Sequence, residues 1–465
     1  MVILRKTTLR ARPARIRTAL RRLLRERRGA VAAVVAIGAT SVVGMASFAI
    51  DAGGWYLTRR SAQNAADYAA LSAVRVFADT DDSTTAIAAG QMISTRNGYQ
   101  NAVAQTTVTI APELVGGGRR VRATISQVQP LILAGAVLNV PKVVTVTAVA
   151  EALEPPGGGA CGLTLSGPMS FGGTGSFSGN NCAMASNATP NSFQFGSGQS
   201  QGGSSFTATA WSLVGSGDST SFIPAQVDGQ VSLTGPQPAF FQQPVVNPYA
   251  TLDAYTPEFD SGLANMASGG CISFAETPSG NPDVLNAPSG STPYCGTSLT
   301  GNGRSIVLTP GTYFIRGDLS TNPGTTLRCS GCNNTGTGVT IVVLGRIQGT
   351  TWNPGALDLR GLVQLNAQST NSVNANLAGV LFYVPGGDDV TITANATTVL
   401  GGGIVAPESE LTLIGNATAS GVPISNCTVL IAGSMNVSGT SALSVDGCGN
   451  YGTLLPQVTL VSLIE

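Results

Sequence analysis

A long apolar segment near the N-terminus places the strongest constraint on this chain of 465 residues. Ala30 to Ile50 contains no charged residue, and Arg27-Arg28 lies directly before it. As a helix, this segment would extend about 32 Å at ~1.5 Å per residue. That length is enough to cross the ~30 Å hydrocarbon core of a bilayer. The segment therefore predicts a single membrane-spanning helix, with Trp55 and Tyr56 just beyond its end.

Processing of this segment has three possible outcomes. A cleaved signal peptide has an apolar core of roughly 7–15 residues, which is shorter than this one, although Ser47-Phe48-Ala49 resembles a cleavage site. A pilin-type leader would be cut after a glycine such as Gly29, but Val34 stands where glutamate is usual. We expect a retained anchor, with cleavage after Gly29 or near Ala49 as the alternatives.

The charge of the chain is unevenly distributed. Eleven basic residues and one acidic residue precede Gly29, whereas the remainder has 13 basic and 23 acidic residues. The positive-inside rule places the N-terminus in the cytoplasm, so the body is expected to be periplasmic or exposed on the cell surface. This asymmetry is not typical of a nucleic-acid-binding protein, and we expect no nucleic acid among the partners.

A stripe of small residues runs along the apolar segment. Ala32, Ala36, Thr40 and Gly44 recur at every fourth position, and such a spacing allows helices to approach closely in lipid. The stripe predicts helix–helix packing within the membrane. Its chance occurrence in an alanine-rich segment is the alternative.

Two further helical patterns and three alternating strands follow. Tyr68, Leu71, Val74 and Phe77 fall on one face of a helix whose other contact positions are alanines. A second helix is expected from an N-cap at Ser83 or Thr84 to about Arg96, and the acidic and hydroxyl residues from Asp81 to Thr85 are expected to form its cap. The strands are "TTVTIAP", "RRVRATISQ" and "KVVTVTAVAEA".

The stretch "RRGAVAAVVAIGATSVVGMASFAIDAGGWYLTRRSAQNAADYAALSA" resembles the N-terminal region of the TadG-like proteins of the Flp, or tight-adherence, pilus-assembly system. The shared features are the Arg-Arg-Gly entry, Asp51 at the end of the span, Tyr56 followed by Arg59-Arg60, and the "QNAADYAALSA" helix. The resemblance implies a bacterial inner-membrane protein that serves pilus biogenesis or adhesion. It also implies other pilus-assembly proteins or pseudopilins as partners.

The body after Cys161 reads as all-β, because short alternating apolar runs are separated by Gly, Asn and Ser. A unit such as "LTLIGNATAS" recurs loosely and is too small to bury a core alone, so we expect stacked coils of a right-handed parallel β-helix. "LTPGTYFIRGDLS" and "LAGVLFYVPG" resemble β-helical domains of bacterial surface proteins. A long solenoid presents ladders of Asn, Thr and Ser, which suit a surface glycan or protein as a ligand.

Catalysis is not expected. The chain has no histidine, which excludes Ser-His-Asp and Cys-His catalysis and His-ligated zinc. We assign no catalytic residue, metal site or cofactor. A β-helix can nevertheless carry a carbohydrate-active enzyme, and that is the alternative function. The carboxylates that could serve it lie in four pairs: Arg316 with Asp318, Asp358 with Arg360, Asp388 with Asp389, and Glu408 with Glu410.

All eight cysteines lie in the exported body, which favours disulfides. Eight cysteines permit about 105 connectivities, and local pairs are the simplest. The candidate pairs are Cys161 with Cys182, Cys271 with Cys295, Cys329 with Cys332, and Cys427 with Cys448. The first and last pairs have equal spacings, close to one coil of a solenoid.

These patterns predict a mainly β protein with an N-terminal transmembrane helix, a small α/β region and a right-handed parallel β-helix. The expected divisions are a basic cytoplasmic segment (1–28), a transmembrane helix (29–50), a TadG-like α/β region (51–155), first solenoid coils (156–221), a Pro-rich excursion or subdomain (222–300), and further solenoid with a C-terminal tail (301–465). We expect a pilus-assembly or adhesion component anchored by a single pass in the inner membrane.

Overall fold

The fold is mainly β with an apolar N-terminal helix. The computed structural model describes residues 27–116, 118–129, 142–155, 159–172, 176–189, 191–195, 204–217, 231–234, 239–273, 283–288, 292–299, 305–333, 335–394, 398–416 and 427–464. Most of the basic segment expected at 1–28 therefore lies outside the described residues. The chain divides into two compact units, Met1–Ala152 with Val461–Glu465 (unit 1) and Leu153–Leu460 (unit 2).

The apolar segment and the helix expected after it form one continuous helix. The helices are α1 (Arg27–Thr80), α2 (Ser83–Arg96), α3 (Ser261–Ser268) and α4 (Cys448–Tyr451), with 3-10 helices at Ala250–Leu252 and Ala375–Leu377. Helix α1 has 54 residues, or about 81 Å at ~1.5 Å per residue. Gly53-Gly54 does not interrupt it, because both glycines retain helical backbone geometry.

The N-cap of α2 differs from the one expected. Asp82, and not Ser83 or Thr84, caps the helix: its carboxylate accepts hydrogen bonds from the Thr84 and Thr85 backbone N–H groups at 2.9 and 3.2 Å. The Thr85 hydroxyl also donates to this carboxylate, and its hydrogen bond, together with the two backbone ones, lowers the pKa of Asp82 because these bonds stabilise the charged form. The expectation was wrong because a carboxylate satisfies orphan helix donors at least as well as a hydroxyl.

Unit 1 packs α1 and α2 against an antiparallel sheet. The sheet has the order β1-β2-β3-β26, with β1 (Thr106–Val115), β2 (Gly118–Gln129), β3 (Lys142–Leu153) and β26 (Leu460–Leu463). The C-terminal strand thus completes the sheet of the N-terminal unit, with the Ile464 N–H donating to the Val149 carbonyl at 2.9 Å. Alternate residues of β1, such as Val108 and Ile110, are buried on the helix side.

Alanine side chains allow α1 to pack closely against the sheet and α2. The alanines of α1 that face the sheet and α2 are almost fully buried: Ala62, Ala65, Ala66, Ala69, Ala70 and Ala73. Small side chains let the backbones of α1 and α2 approach each other closely. At Gly90 of α2, an added Cβ would lie 3.2 Å from the Ala69 carbonyl oxygen. Burial therefore follows the 3.6-residue period of α1 from Ala62 onward.

Unit 2 contains the remaining strands. They are β4 (Ala160–Thr164), β5 (Met169–Gly172), β6 (Ser176–Asn180), β7 (Ala183–Ser186), β8 (Asn191–Phe195), β9 (Ser204–Thr207), β10 (Ala210–Leu213), β11 (Ser216–Gly217), β12 (Val231–Thr234), β13 (Asp283–Leu285), β14 (Tyr294–Leu299), β15 (Ser305–Leu308), β16 (Gly311–Thr321), β17 (Thr326–Cys329), β18 (Val339–Gln348), β19 (Thr351–Asn353), β20 (Leu357–Leu359), β21 (Leu362–Asn366), β22 (Val380–Tyr383), β23 (Val390–Ala394), β24 (Val399–Asn416) and β25 (Thr428–Ser444).

Most of these strands pair in parallel with a strand one to four places later in the chain, and we call each group of consecutive strands between two such partners a winding. β4 pairs with β7, which pairs with β10; β5 pairs with β8 and then β11; β6 pairs with β9 and then β12. The antiparallel pair β18–β19 is a local hairpin. Successive windings thus contribute strands to three columns, and their inward side chains share one continuous core.

The order of the windings in space differs from their order in the chain. One edge of β25 pairs with β24, and the other edge pairs in three places with β4, β5 and β6. The last winding is therefore the neighbour of the first. We call this junction the seam. Across it, Val437 of β25 aligns with Phe171 of β5, and Phe171 packs edge-on against Trp211 at 5.7 Å.

Residues 239–273, which we call the strap, run outside the stacked strands. At one end, the Leu213 N–H of β10 donates to the Ala239 carbonyl at 3.0 Å. At the other end, the Cys295 N–H of β14 donates to the Ile272 carbonyl at 2.8 Å. Among the described residues, β10 and β14 each have only one partner strand. The strap therefore covers backbone edges that would otherwise be open to aggregation.

A buried tyrosine fixes the middle of the strap and gives a testable pH dependence. Tyr249 accepts a hydrogen bond from the Leu454 N–H at 2.9 Å, and burial raises the pKa of its phenol to about 12. The unfolded value is about 10. The folded state thus favours the protonated phenol, so this contribution to the free energy of unfolding is complete below pH ~10 and is lost as the pH rises through about 12.

Replacing Tyr249 with Phe is expected to reduce the alkaline loss of stability, measured by urea unfolding of the full chain in detergent at pH values on both sides of 10. Tyr68→Phe, at an exposed position of α1, is the matched control and should leave the pH profile unchanged. An identical alkaline slope for Tyr249→Phe and the unaltered protein would contradict the assignment.

Candidate functional site

The N-terminal part of α1 is the most unusual surface of the molecule. Its large apolar side chains are exposed all round the helix, with Ile37 at 69% and Met45 at 70% exposure. A Cβ placed at Gly38 or Gly44 would meet nothing within 4 Å. Within the described residues, α1 is the one helix long and apolar enough to cross a membrane. An apolar surface this large normally contacts lipid or another protein.

The polar side chains of this segment are satisfied within the helix. The Thr40 and Ser41 hydroxyls donate to carbonyls one turn back, at Ala36 and Ile37, both at 2.9 Å. The Ser47 hydroxyl donates to the Val43 carbonyl at 2.7 Å. Because no donor needs water, the segment can enter an apolar environment without an unsatisfied hydroxyl.

The stripe predicted for helix packing lies on this exposed surface. The helical geometry of α1 brings Ala32, Ala36, Thr40 and Gly44 onto one side at successive turns, and all four are exposed. At the end of the segment the environment changes: Asp51 is buried, and Phe48 meets Trp55 edge-on with ring centroids 6.5 Å apart.

A cleft of about 610 Å³ opens beside α1 about two to three turns after the apolar segment. Its lining is neutral and combines the helix, the turn after α2 and the end of β2: Leu57, Thr58, Ser61, Asn97, Gly98, Tyr99, Ala104, Gln127, Val128 and Gln129. The Tyr99 hydroxyl donates to the Thr58 carbonyl at 3.3 Å. Sequence reasoning missed this cleft, because no local motif marks residues that meet only through tertiary packing.

The structure joins the cysteines in four local pairs. The disulfides are Cys161–Cys182, Cys271–Cys295, Cys329–Cys332 and Cys427–Cys448. Cys161 and Cys182 lie in consecutive windings, with Cα atoms 5.5 Å apart. Cys271–Cys295 ties the end of the strap to β14.

The candidate acid–base pairs do not converge on a shared site. Asp358 and Arg360 form an ion pair at 2.7 Å, which raises the pKa of Arg360. Arg316 and Asp318 do not bond to each other: the Arg316 guanidinium donates to the Ala267 carbonyl, and Asp318 accepts from the Ala356 N–H, both at 3.0 Å.

The remaining candidate carboxylates lie at the surface of adjacent windings. Asp388 accepts from the Asp389 N–H at 3.0 Å, as in a turn. Glu408 and Glu410 are exposed on β24. In the part of the chain that the structure describes, no three His, Cys, Asp or Glu side chains are arranged to hold a metal ion.

A match to a known protein family falls on α1. Residues 29–76 match the model of the Flp pilus-assembly TadE/G-like family. No curated protein matches the chain. Among solved structures, a competence-associated pilin, ComZ from Thermus thermophilus, is similar over 80% of this chain and 89% of its own, with 13% identity and a TM-score of 0.24. The family match supports a pilus-related role.

Proposed function

We propose that this protein is a membrane-anchored component of a Tad/Flp pilus system, with a role in pilus assembly or surface adhesion. One observation carries the proposal. The residues that match the pilus-assembly family, 29–76, coincide with the exposed apolar part of α1 and the alanine-rich part that packs in unit 1. The function is therefore assigned to the long helix and not to an active site.

The anchor is α1. Val31–Ile50 would span about 30 Å at ~1.5 Å per residue, which equals the hydrocarbon thickness of a typical bilayer. The basic residues before Gly29 favour a cytoplasmic N-terminus, and the part of unit 1 that follows the span, together with unit 2, would then lie outside the cytoplasm. An oxidising compartment suits the four disulfides.

The partners follow from this placement. The small-residue stripe of α1 is proposed to pack against the helices of other pilus-assembly proteins or pseudopilins in the inner membrane. Unit 2 is proposed to face outward and to contact a surface glycan or protein. We propose no catalytic role for it: Asp358 is paired with Arg360, Arg316 and Asp318 bond to backbone groups, and Asp388 lies in a turn.

We further propose that unit 2 is a right-handed parallel β-helix. Parallel pairing between consecutive windings supports it, and crossovers between parallel strands of one sheet are right-handed in about 98% of cases. An experimental map in which the crossovers wind left-handed would contradict this.

Deleting the gene in the bacterium that encodes it is expected to reduce the number of surface pili counted by electron microscopy. Complementation with Gly44→Leu should restore the protein but not the pili, because a leucine would block close helix approach at the stripe. Complementation with Asp388→Asn and Asp389→Asn together should restore both. Normal piliation in the deletion strain would overturn the proposal.

A further inference from the structure

One end of the unit 1 sheet lies beside the turn of α1 that follows the apolar segment. The Thr58 hydroxyl donates to the Gln129 side-chain carbonyl at 3.2 Å, and Gln129 pairs with Lys142 at the end of the β2–β3 ladder. Thr58 lies about 12 Å beyond Ile50 at ~1.5 Å per residue. The headgroup layer extends roughly 5–8 Å beyond the hydrocarbon, so side chains at this end can reach its outer edge.

A second contact fixes the direction of the sheet. The Gln63 side-chain amide donates to the Thr147 carbonyl at 3.0 Å. The direction from Thr147 to Lys142 along β3 is therefore the same as the direction from Gln63 to Thr58 along α1. The Lys142 end is the end of the sheet nearer to the apolar segment, and the β1–β2 turn at Leu114 is at the opposite end.

The near end exposes apolar side chains from three separate elements. Leu57 of α1 is 66% exposed, Val103 of the α2–β1 loop 48%, and Val143 of β3 51%. Side chains of this kind that share one end of a unit indicate contact with an apolar or interfacial partner.

The loop that carries Val103 is held in a strained conformation. Three of its non-glycine residues have left-handed backbone angles: Ala102 (φ 62°), Ala104 (φ 50°) and Gln105 (φ 58°). Such residues cost free energy and often occur where function requires the conformation. Val103 lies between two of these residues and is exposed at the surface.

Basic side chains at this end have no ion pair among the described residues. Arg59, Arg60 and Lys142 are all exposed. Helical side chains lean toward the helix N-terminus, so both arginines lean toward the apolar segment. Four other arginines of unit 1 are paired with acids: Arg75 with Asp79, Arg119 with Asp81, Arg120 with Glu151, and Arg122 with Glu113.

We propose that this juxtamembrane face rests on the headgroups of anionic phospholipids. The face is formed by Leu57, Arg59, Arg60, Val103, Lys142 and Val143. Its basic side chains would contact lipid phosphates, and its apolar side chains would enter the interface. The neutral cleft beside it is lined by Gln127 and Gln129, and the Gln129 side-chain amide donates to the Gln127 side-chain carbonyl at 3.0 Å. This inference rests on the proposed membrane anchoring by α1.

The test places spin labels on the full-length protein in lipid nanodiscs. Because no described cysteine is free, single cysteines can be introduced and labelled: Val143→Cys on the face, Leu114→Cys at the opposite end as the exposed apolar control, and Ile37→Cys in the apolar segment. Accessibility to oxygen and to a water-soluble nickel chelate reports whether each label lies in lipid or in water.

In nanodiscs of phosphatidylcholine with phosphatidylglycerol, the 143 label is expected to show a higher oxygen-to-nickel accessibility ratio than the 114 label. The difference should shrink in phosphatidylcholine alone and with Lys142→Glu, and persist with Lys142→Arg. If the 37 label lies in lipid but the 143 and 114 labels are equally aqueous, the inference fails and the anchor stands. If the difference between the 143 and 114 labels does not depend on lipid charge, the proposed contact with anionic headgroups is wrong. An aqueous 37 label overturns the anchor and the inference together.

Discussion

Aspartate at both Ile37 and Val42 is expected to release the protein from membranes. Both side chains are exposed near the middle of the apolar segment, and an aspartate at the centre of a membrane helix costs about 2.5–3.5 kcal/mol. Two of them cost about 5–7 kcal/mol, which corresponds to roughly four to five orders of magnitude in partitioning at ~1.4 kcal/mol per tenfold change. The measurement is the fraction of protein that resists alkaline carbonate extraction and floats with vesicles.

The control for this variant carries the same charge change elsewhere in unit 1. Tyr68→Asp with Leu114→Asp alters two exposed positions outside the apolar segment, and the protein should remain in the membrane. Neither variant should change the melting temperature of the detergent-solubilised protein appreciably, because none of the four side chains is buried. If the Ile37→Asp, Val42→Asp protein still resists extraction, α1 does not span the membrane.

Aspartate at Val437 is expected to break the seam of unit 2. Val437 is buried between Leu413 of β24 and Phe171 of β5. A carboxylate left there without a partner costs about 3–5 kcal/mol, a large part of a typical domain stability of roughly 5–15 kcal/mol. Since no disulfide joins the first three windings to the later ones, only packing and hydrogen bonds oppose their separation.

The expected result for Val437→Asp is a lower urea midpoint and faster proteolysis within residues 159–234 than within 305–416. Ser438→Asp is the matched control: its side chain is half-exposed on the same strand, and its cost should stay within about 0.5 kcal/mol, as for most surface substitutions. Equal urea midpoints and cleavage patterns for the two variants would show that the seam is not the weak junction.

Much of unit 1 could be predicted from sequence because its signals are local. The uncharged run from Ala30 to Ile50, the alanine period from Ala62 to Ala73 and the alternation in β1 each reflect neighbours within a few residues. The N-cap of α2 was misplaced by one or two residues, because several adjacent side chains could have capped the helix. Nothing in the local pattern indicated that β26, more than three hundred residues later, completes the same sheet.

The sequence by itself determined the apolar helix, the small-residue stripe and the all-β body, and it indicated the four local cysteine pairs as the simplest connectivity. Only the tertiary structure decided that the first winding packs against the last, that the strap covers both β10 and β14, and that Leu57, Val103 and Val143 share one end of unit 1. The physical reason is sequence distance. Hydrophobic periodicity indicates which face of an element is buried. It does not indicate which of many compatible elements, far apart in the chain, will pack against that face.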